Sequence, residues 1–129
     1  MKRLFTAIAI ALFTIAASAG EPPKFFQNTY PEHALKSALD ARGVLEGEGA
    51  ALDGKTRELI ALGVAAQIPC SYCVYAHTKN ARAKGASEAE IREAVATAAT
   101  TRQWSTVLNG MGYSLEAFKA EVDKMHASK

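Results

Sequence analysis

Apolar side chains recur every three or four residues along most of this chain, and no segment alternates apolar and polar residues with a period of two. The first spacing is typical of amphipathic α-helices, whereas the second would indicate β-strands. The pattern therefore predicts an all-α fold of five or six short helices. The predicted helices run from Pro31 to about Ala41, from Lys55 to Ala66, from Cys70 to about Lys84, from Ser87 to about Leu108 with or without a kink before Arg102, and from Ser114 onward.

Residues that favour helix ends separate these predicted helices. Asp53 and Ser114 can cap helix N-termini, and Ser87 with Glu90 three residues later has the spacing of a capping box. Gly85 suits the position just after a helix C-terminus. The remaining segments are predicted to be irregular: residues 20–29, which contain a Pro-Pro pair, and residues 43–49, which contain three glycines.

The first 19 residues have the pattern of an export signal. Two basic residues precede an apolar segment at residues 4–15, and a small-x-small cleavage site follows at residues 17–19. The apolar segment is shorter than a typical membrane-spanning helix. We therefore expect cleavage after Ala19, a secreted or periplasmic location, and a single mature domain over residues 20–129.

The charge of the mature chain argues against some classes of partner. Without the signal, the chain has 13 basic and 13 acidic residues, and the basic ones are scattered rather than arranged in a stripe. This pattern indicates no nucleic-acid partner. The predicted helix faces are shallow and rich in alanine, which gives a chain of this length a thin core. We therefore expect subunits to associate.

The candidate chemistry is concentrated at Cys70, Cys73 and His77. The chain has no cysteines other than Cys70 and Cys73. With His77 they stand at i, i+3 and i+7, which places the three residues on one side of a helix. Pro69 marks the start of that helix, so both sulfurs are predicted to lie in its first turn, where the helix dipole favours thiolate. The spacing predicts a redox-active cysteine pair.

Glu58 is the predicted partner of His77. If the chain turns back near Pro69, the helices on either side form an antiparallel hairpin, and these two residues sit level with each other. A carboxylate facing an imidazole orients it as a base, and that base is one helical turn from Cys73. The predicted relay runs from Glu58 through His77 to a proton on Cys73.

Two effects disagree on which cysteine is the more reactive. The helix dipole favours Cys70, whereas the nearby His77 favours Cys73. The dipole contributes only ~0.3–1 kcal/mol at exposed sites, so we give the histidine more weight. Cys73 is therefore the predicted attacking sulfur, with Cys70 closing a disulfide on it after oxidation.

The spacing of these four residues resembles the signature of the alkylhydroperoxidase AhpD-like group within the carboxymuconolactone decarboxylase superfamily. The resemblance extends over about residues 50–110, including the stretches at 52–62 and 84–91. It implies an all-α bundle that assembles as a homotrimer or homohexamer. It also implies peroxide reduction, with Cys73 attacking, Cys70 resolving, and Glu58 and His77 relaying protons.

The same resemblance bears on cofactors and partners. It implies no cofactor beyond the redox-active disulfide, a peroxide substrate, and a thiol or dithiol reductant of unknown identity. An exported protein needs a reductant other than the cytosolic dihydrolipoyl proteins that serve the group. The group also has a histidine immediately before the second cysteine, and Tyr72 stands there in this chain. We assign Tyr72 a supporting role as a wall or interface aromatic.

Three alternatives to a peroxidase remain open from the sequence. The cysteine pair could serve a thiol-disulfide oxidoreductase that acts on exported protein partners. It could instead be a structural clip, although a four-residue ring gives only ~2 kcal/mol of loop-closure stabilisation. Finally, the two cysteines with His77 and Glu58 make up the four ligands of a zinc site.

Overall fold

A computed structural model describes residues 21–127, so the predicted signal and its cleavage site lie outside the described residues. The described chain contains six α-helices and no strand. The all-α prediction is thereby confirmed. The helices are α1 (Lys24–Thr29), α2 (Glu32–Glu46), α3 (Gly54–Gln67), α4 (Ser71–Ala83), α5 (Glu88–Gly110) and α6 (Leu115–Ala127).

The described residues divide into two compact units. The first extends to Gly43 and holds α1 and most of α2. The second begins at Val44 and holds α3 to α6, including every candidate site residue. No helix among residues 21–127 is long and apolar enough to cross a membrane.

The predicted helix caps are present in the second unit. The Asp53 carboxylate accepts the backbone N–H of Thr56 at 2.9 Å and starts α3. The side chains of Ser87 and Glu90 each accept from the other's backbone N–H, which completes a capping box at α5. Gly85 has φ +86° after the end of α4, a conformation that glycine adopts without steric cost.

Two predicted boundaries were wrong. Residues 20–29 are not wholly irregular, because α1 forms immediately after the Pro-Pro pair. The loop predicted from Gly43 starts later, since α2 continues to Glu46. Gly43 is exposed, and a single exposed glycine weakens a helix by only about 1 kcal/mol without ending it. Of the two alternatives left open for α5, the structure has the continuous helix, which runs without a break through Arg102.

α3 and α4 form the predicted antiparallel hairpin. At the turn, the Cys70 backbone N–H donates to the Ala65 carbonyl at 3.1 Å. Further from the turn, Glu58 on α3 meets His77 on α4. From the first contact to the second, the α3 residue comes earlier in the sequence and the α4 residue comes later. This order is the one that antiparallel helices require. The hairpin thus places the carboxylate and the imidazole on facing sides.

A small core holds α3, α4 and α5 together. Its buried members are Leu62, Ala81, Ala86 and Ile91, with Leu59 and Val74 packed against them at partial exposure. Two of the four buried residues are alanines, so the helices approach closely but bury little apolar surface. This core is the thin one that the sequence predicts.

Candidate functional site

Glu58 is the buried carboxylate of the site. It is 3% exposed and lies on the core side of α3, one turn before Leu62. Burying an ionised carboxylate costs several kcal/mol unless other groups compensate it. Its side chain therefore needs polar partners from a neighbouring helix, and α4 supplies them.

His77 and Asn80 are the partners that α4 supplies. His77 Nδ1 lies 2.7 Å from Glu58 Oε2, and the Asn80 side-chain amide donates to the same oxygen at 3.4 Å. The His77 side chain keeps 18% of its surface exposed, against 4% for Glu58. The predicted contact between carboxylate and imidazole is confirmed.

The Glu58 contact fixes the chemistry of the His77 ring. An ionised carboxylate only accepts hydrogen bonds, so the ring nitrogen that faces it carries a proton. A neutral ring then has its lone pair on Nε2, the atom remote from Glu58. That lone pair is what a general base requires. The pair can therefore hold a base in one tautomer and one orientation.

Cys70 and Cys73 form a disulfide with Cα atoms 5.2 Å apart. Cys70 is the N-cap of α4 rather than a member of its first turn, which corrects the predicted placement by one residue. Its sulfur accepts the backbone N–H of Cys73 at 3.2 Å. Both cysteines are half-buried. A helix N-terminus therefore supplies a hydrogen bond to one sulfur of the pair.

The site has two parts on consecutive turns of α4. The disulfide occupies the start of the helix, and His77 follows Cys73 by one turn. In this oxidised state, no hydrogen bond joins the His77 ring to either sulfur within the described chain. The transfer of a proton from Cys73 to His77 therefore stays a prediction about the reduced state.

Tyr72 lies between the two cysteines in sequence, but its side chain is 87% exposed. The ring is thus a surface group of this chain and not part of a buried wall. This position follows from helix geometry, because Tyr72 is about 100° around the helix from Cys73. A role for Tyr72 at an interface stays a prediction.

Asn80 is the site residue that the sequence analysis missed. It stands three residues after His77, so it lies on the same side of α4 and one turn further along. The i, i+3 spacing from a candidate base was the available signal. An asparagine at such a position is usually a solvated surface residue, and only the hairpin brings it to Glu58.

A carboxylate in the capping box of α5 has a strongly lowered pKa. Lys55 on α3 lies 2.7 Å from Glu90 on α5. That ammonium, together with two hydrogen bonds from Ser87, lowers the pKa of Glu90 from 4.5 to about 2. The pair thus links α3, which carries Glu58, to the capping box of α5.

No group of three or more His, Cys, Asp or Glu side chains is arranged to hold a metal ion within residues 21–127. The zinc alternative concerns the reduced thiols and is tested by the metal content of the reduced protein, below.

Comparison with known proteins identifies the family. The model of the carboxymuconolactone decarboxylase family matches residues 34–116, well over half of the chain. The chain belongs to this family. The resemblance inferred from the sequence is thereby confirmed. The matched range is wider than the 50–110 range of that resemblance.

One solved structure has a similar fold. It is the crystal structure of the alkylhydroperoxidase AhpD core from Rhodospirillum rubrum, with a TM-score of 0.62 and 34% sequence identity. The match covers 67% of this chain and 64% of that one. This member of the carboxymuconolactone decarboxylase family thus has an alkylhydroperoxidase-type fold with a Cys-x-x-Cys pair.

Two curated relatives are of uncharacterised function. One is an uncharacterised protein of the cox locus in Paracoccus denitrificans, 44% identical over 52 residues. The other is an uncharacterised protein of Haemophilus influenzae, 46% identical over 52 residues. Each match covers 40% of this chain and less than half of the relative, 47% and 44% respectively.

Proposed function

We propose that this protein is a thiol-dependent peroxidase that reduces hydroperoxides through Cys73 and Cys70. The observation that carries the proposal is the contact of the buried Glu58 with the half-buried His77, 2.7 Å apart, one helical turn from a cysteine pair. A structural clip would need no oriented base beside it. The alkylhydroperoxidase-type fold supports the same chemistry.

The first step oxidises Cys73. His77 Nε2 takes the thiol proton, directly or through a water molecule, and the thiolate attacks the terminal oxygen of the hydroperoxide. The S–O bond forms as the O–O bond breaks. The products are a sulfenic acid on Cys73 and an alcohol, which receives the proton held by His77.

The second and third steps close the cycle. The Cys70 thiol attacks the sulfenic sulfur, releasing water and forming the disulfide that the structure contains. A reduced dithiol then exchanges with this disulfide. The donor is oxidised to its own disulfide, and Cys70 and Cys73 return to thiols. We propose an exported dithiol of unknown identity as the electron donor, with no other cofactor.

Substitution of the two cysteines and of His77 tests the proposal. We expect Cys73→Ser to lose peroxide consumption with a generic dithiol donor. Cys70→Ser should react once and accumulate the sulfenic acid, which mass spectrometry detects after trapping with a carbon nucleophile. His77→Ala should slow the oxidation of Cys73 by about 10²–10⁴-fold. His33→Ala, which removes an exposed histidine of the first unit, is the matched control. Unchanged turnover in Cys73→Ser would rule this mechanism out.

A thiol-disulfide oxidoreductase is the second candidate, because apolar side chains lie exposed next to the disulfide. Ile68 is 61% exposed and Tyr72 is 87% exposed, so a protein partner could contact both. The reduction potential of the cysteine pair separates the two functions. A reduction potential of about −120 mV would favour donation of the disulfide to protein substrates.

The metal content of the reduced protein tests the zinc alternative. A zinc site would require deprotonated thiols and would be occupied after purification under reducing conditions. We expect no stoichiometric zinc under those conditions. Stoichiometric zinc would replace the peroxidase proposal with a metal site.

We also propose that the protein is exported and processed. The expected mature protein begins at Gly20 and is recovered from the periplasm or the medium. N-terminal sequencing of the protein from fractionated cells measures this directly, and an intact Met1 in the cytosolic fraction would contradict it.

A further inference from the structure

Asn80 is a neutral polar side chain beside the buried carboxylate of the site. Its side-chain amide donates to Glu58 Oε2 at 3.4 Å, and His77 Nδ1 lies 2.7 Å from that same oxygen. Glu58 is 3% exposed, and Asn80 is half-buried. Two groups from adjacent turns of α4 therefore converge on one carboxylate oxygen of α3.

Asn80 is too far along α4 to act on the sulfurs directly. It stands seven residues after Cys73, which is about 10 Å at the helical rise. A side-chain amide also neither gains nor loses a proton near neutral pH, so Asn80 is not itself an acid or a base. An effect of Asn80 on the chemistry of Cys73 therefore passes through Glu58 and His77.

The Asn80 amide helps to set the plane of the Glu58 carboxylate. The terminal torsion of a glutamate is broad, so hydrogen-bond donors decide which way the carboxylate faces. Asn80 contributes a donor one turn further from the disulfide than His77. A fixed Oε2 in turn fixes the tautomer and the direction of the imidazole, as the carboxylate does in a Ser-His-Asp triad.

A neutral donor suits this position better than a cation. An ammonium or guanidinium next to Glu58 would compensate the charge that holds the imidazole. The amide donates a hydrogen bond without adding a charge. Lys79 precedes Asn80 in the chain, but its ammonium lies 5.8 Å from the centre of the Tyr75 ring, on another side of α4. Asn80 thus supports the orientation of Glu58 and leaves its charge to His77.

We propose that Asn80 is a positioning residue of the site, which fixes the Glu58 carboxylate and through it the base His77. At 3.4 Å the hydrogen bond is longer than most, so its effect is smaller than that of His77 itself. We expect its loss to slow the reactions of Cys73 by about three- to tenfold. This change in rate rests on the proposed function, whereas the tautomer of His77 can be measured without any peroxide chemistry.

Two substitutions of opposite character test this inference. Asn80→Leu keeps nearly the volume of the side chain and removes the donor, whereas Asn80→Gln keeps the amide on a longer side chain. A purely structural role at a half-buried position would favour leucine over glutamine, and a positioning role predicts the reverse order. Asn80→Ala removes the donor with a smaller side chain, so the result does not depend on the folding of one variant. Asn109→Leu, at an exposed asparagine near the end of α5, is the matched control.

The tautomer of His77 is the first measurement. ¹⁵N NMR of the full mature chain, labelled at histidine, shows which ring nitrogen carries the proton at a pH where the ring is neutral, and the His77→Ala spectrum identifies the signals. We expect the proton on Nδ1 in the unmodified protein, in Asn80→Gln and in Asn109→Leu. In Asn80→Leu and Asn80→Ala, a measurable fraction of the rings should carry it on Nε2. An unchanged tautomer in either variant, with circular dichroism showing it folded, would overturn the proposal.

The alkylation rate of Cys73 in the reduced protein is the second measurement. Asn80→Leu should lower this rate at neutral pH by about three- to tenfold. In a Glu58→Gln background it should have little further effect, because the group that Asn80 positions has lost its charge. Equal losses in the two backgrounds would overturn the proposal. A shifted tautomer with an unchanged Cys73 rate would support the positioning role of Asn80 and contradict the proposed function instead.

Discussion

At the scale of single residues, the proposed chemistry depends on a carboxylate that the fold buries beside a base. Glu58 and His77 could be predicted from the sequence because they lie at similar distances before and after the turn at residues 67–70. The third member, Asn80, could not, because its role depends on the side of α4 that faces Glu58. The exposure of Tyr72 follows from its angle on α4, which becomes known only once Cys73 is placed.

Glu58→Gln tests the role of the carboxylate. The amide keeps the volume of the side chain but loses the charge that orients the imidazole, so we expect peroxide-dependent oxidation of Cys73 to slow by at least about tenfold. Stopped-flow measurement of the reduced protein gives this rate. Glu48→Gln, at an exposed loop position, is the control and should leave the rate unchanged.

A double variant shows whether Glu58 acts through His77. If it does, adding Glu58→Gln to His77→Ala should have little further effect on the rate, although each substitution alone slows it. Fully multiplicative losses would mean that Glu58 acts elsewhere. Thermal unfolding of the same proteins distinguishes a loss of positioning from a loss of folded protein.

At the scale of helices, most boundaries could be predicted because local chemistry specifies them. The side chains of Asp53 and Ser87 accept backbone N–H groups at helix starts. Gly85 adopts a positive φ after α4 because it has no Cβ. The ends of α1 and α2 could not be predicted in this way. Gly43 lies inside α2, because a single exposed glycine weakens a helix without ending it.

The Glu90 capping box should make stability depend on pH. Its pKa is lowered from 4.5 to about 2, so folding favours the ionised form. This contribution is complete above about pH 4.5 and is lost as the pH falls toward about 2. The difference in unfolding free energy between the unmodified protein and Glu90→Gln should therefore shrink across that window. Chemical denaturation at a series of pH values measures it, and a constant difference would contradict the assignment.

Two glycine substitutions should change stability in opposite directions. At Gly63 a Cβ would lie 3.5 Å from the Ala98 Cβ, an ordinary contact, so Gly63→Ala should stabilise α3 by about 0.5–1 kcal/mol. At Gly85, with φ +86°, Gly85→Ala should destabilise by about 1 kcal/mol or more. Denaturant unfolding at one protein concentration gives both values. A destabilised Gly63→Ala would mean that the α3–α5 packing cannot accept a methyl group.

At the scale of the whole molecule, α3, α4 and α5 pack through a core of few and small side chains. The sequence predicts this thin core from its alanine-rich faces, but it does not specify which surfaces remain open. Leu115 and Phe118 of α6 are an example, because their exposure depends on tertiary packing and is not encoded in a local motif.

The disulfide should contribute little to the stability of the molecule. Its loop spans four residues, for which loop closure gives only about 2 kcal/mol. Reduction should therefore lower the unfolding free energy by no more than about this amount, with the fold retained by circular dichroism. Unfolding on reduction would indicate a structural clip.

The alkylation rate of Cys73 tests most directly whether the fold makes this thiol more reactive. The rate is measured against pH for each cysteine of the reduced protein by mass spectrometry, in the folded state and in urea. We predict that Cys73 reacts faster at pH 7 in the folded protein than in the denatured chain, and that Glu58→Gln removes most of this difference. A Cys73 that reacts no faster when folded would contradict the account.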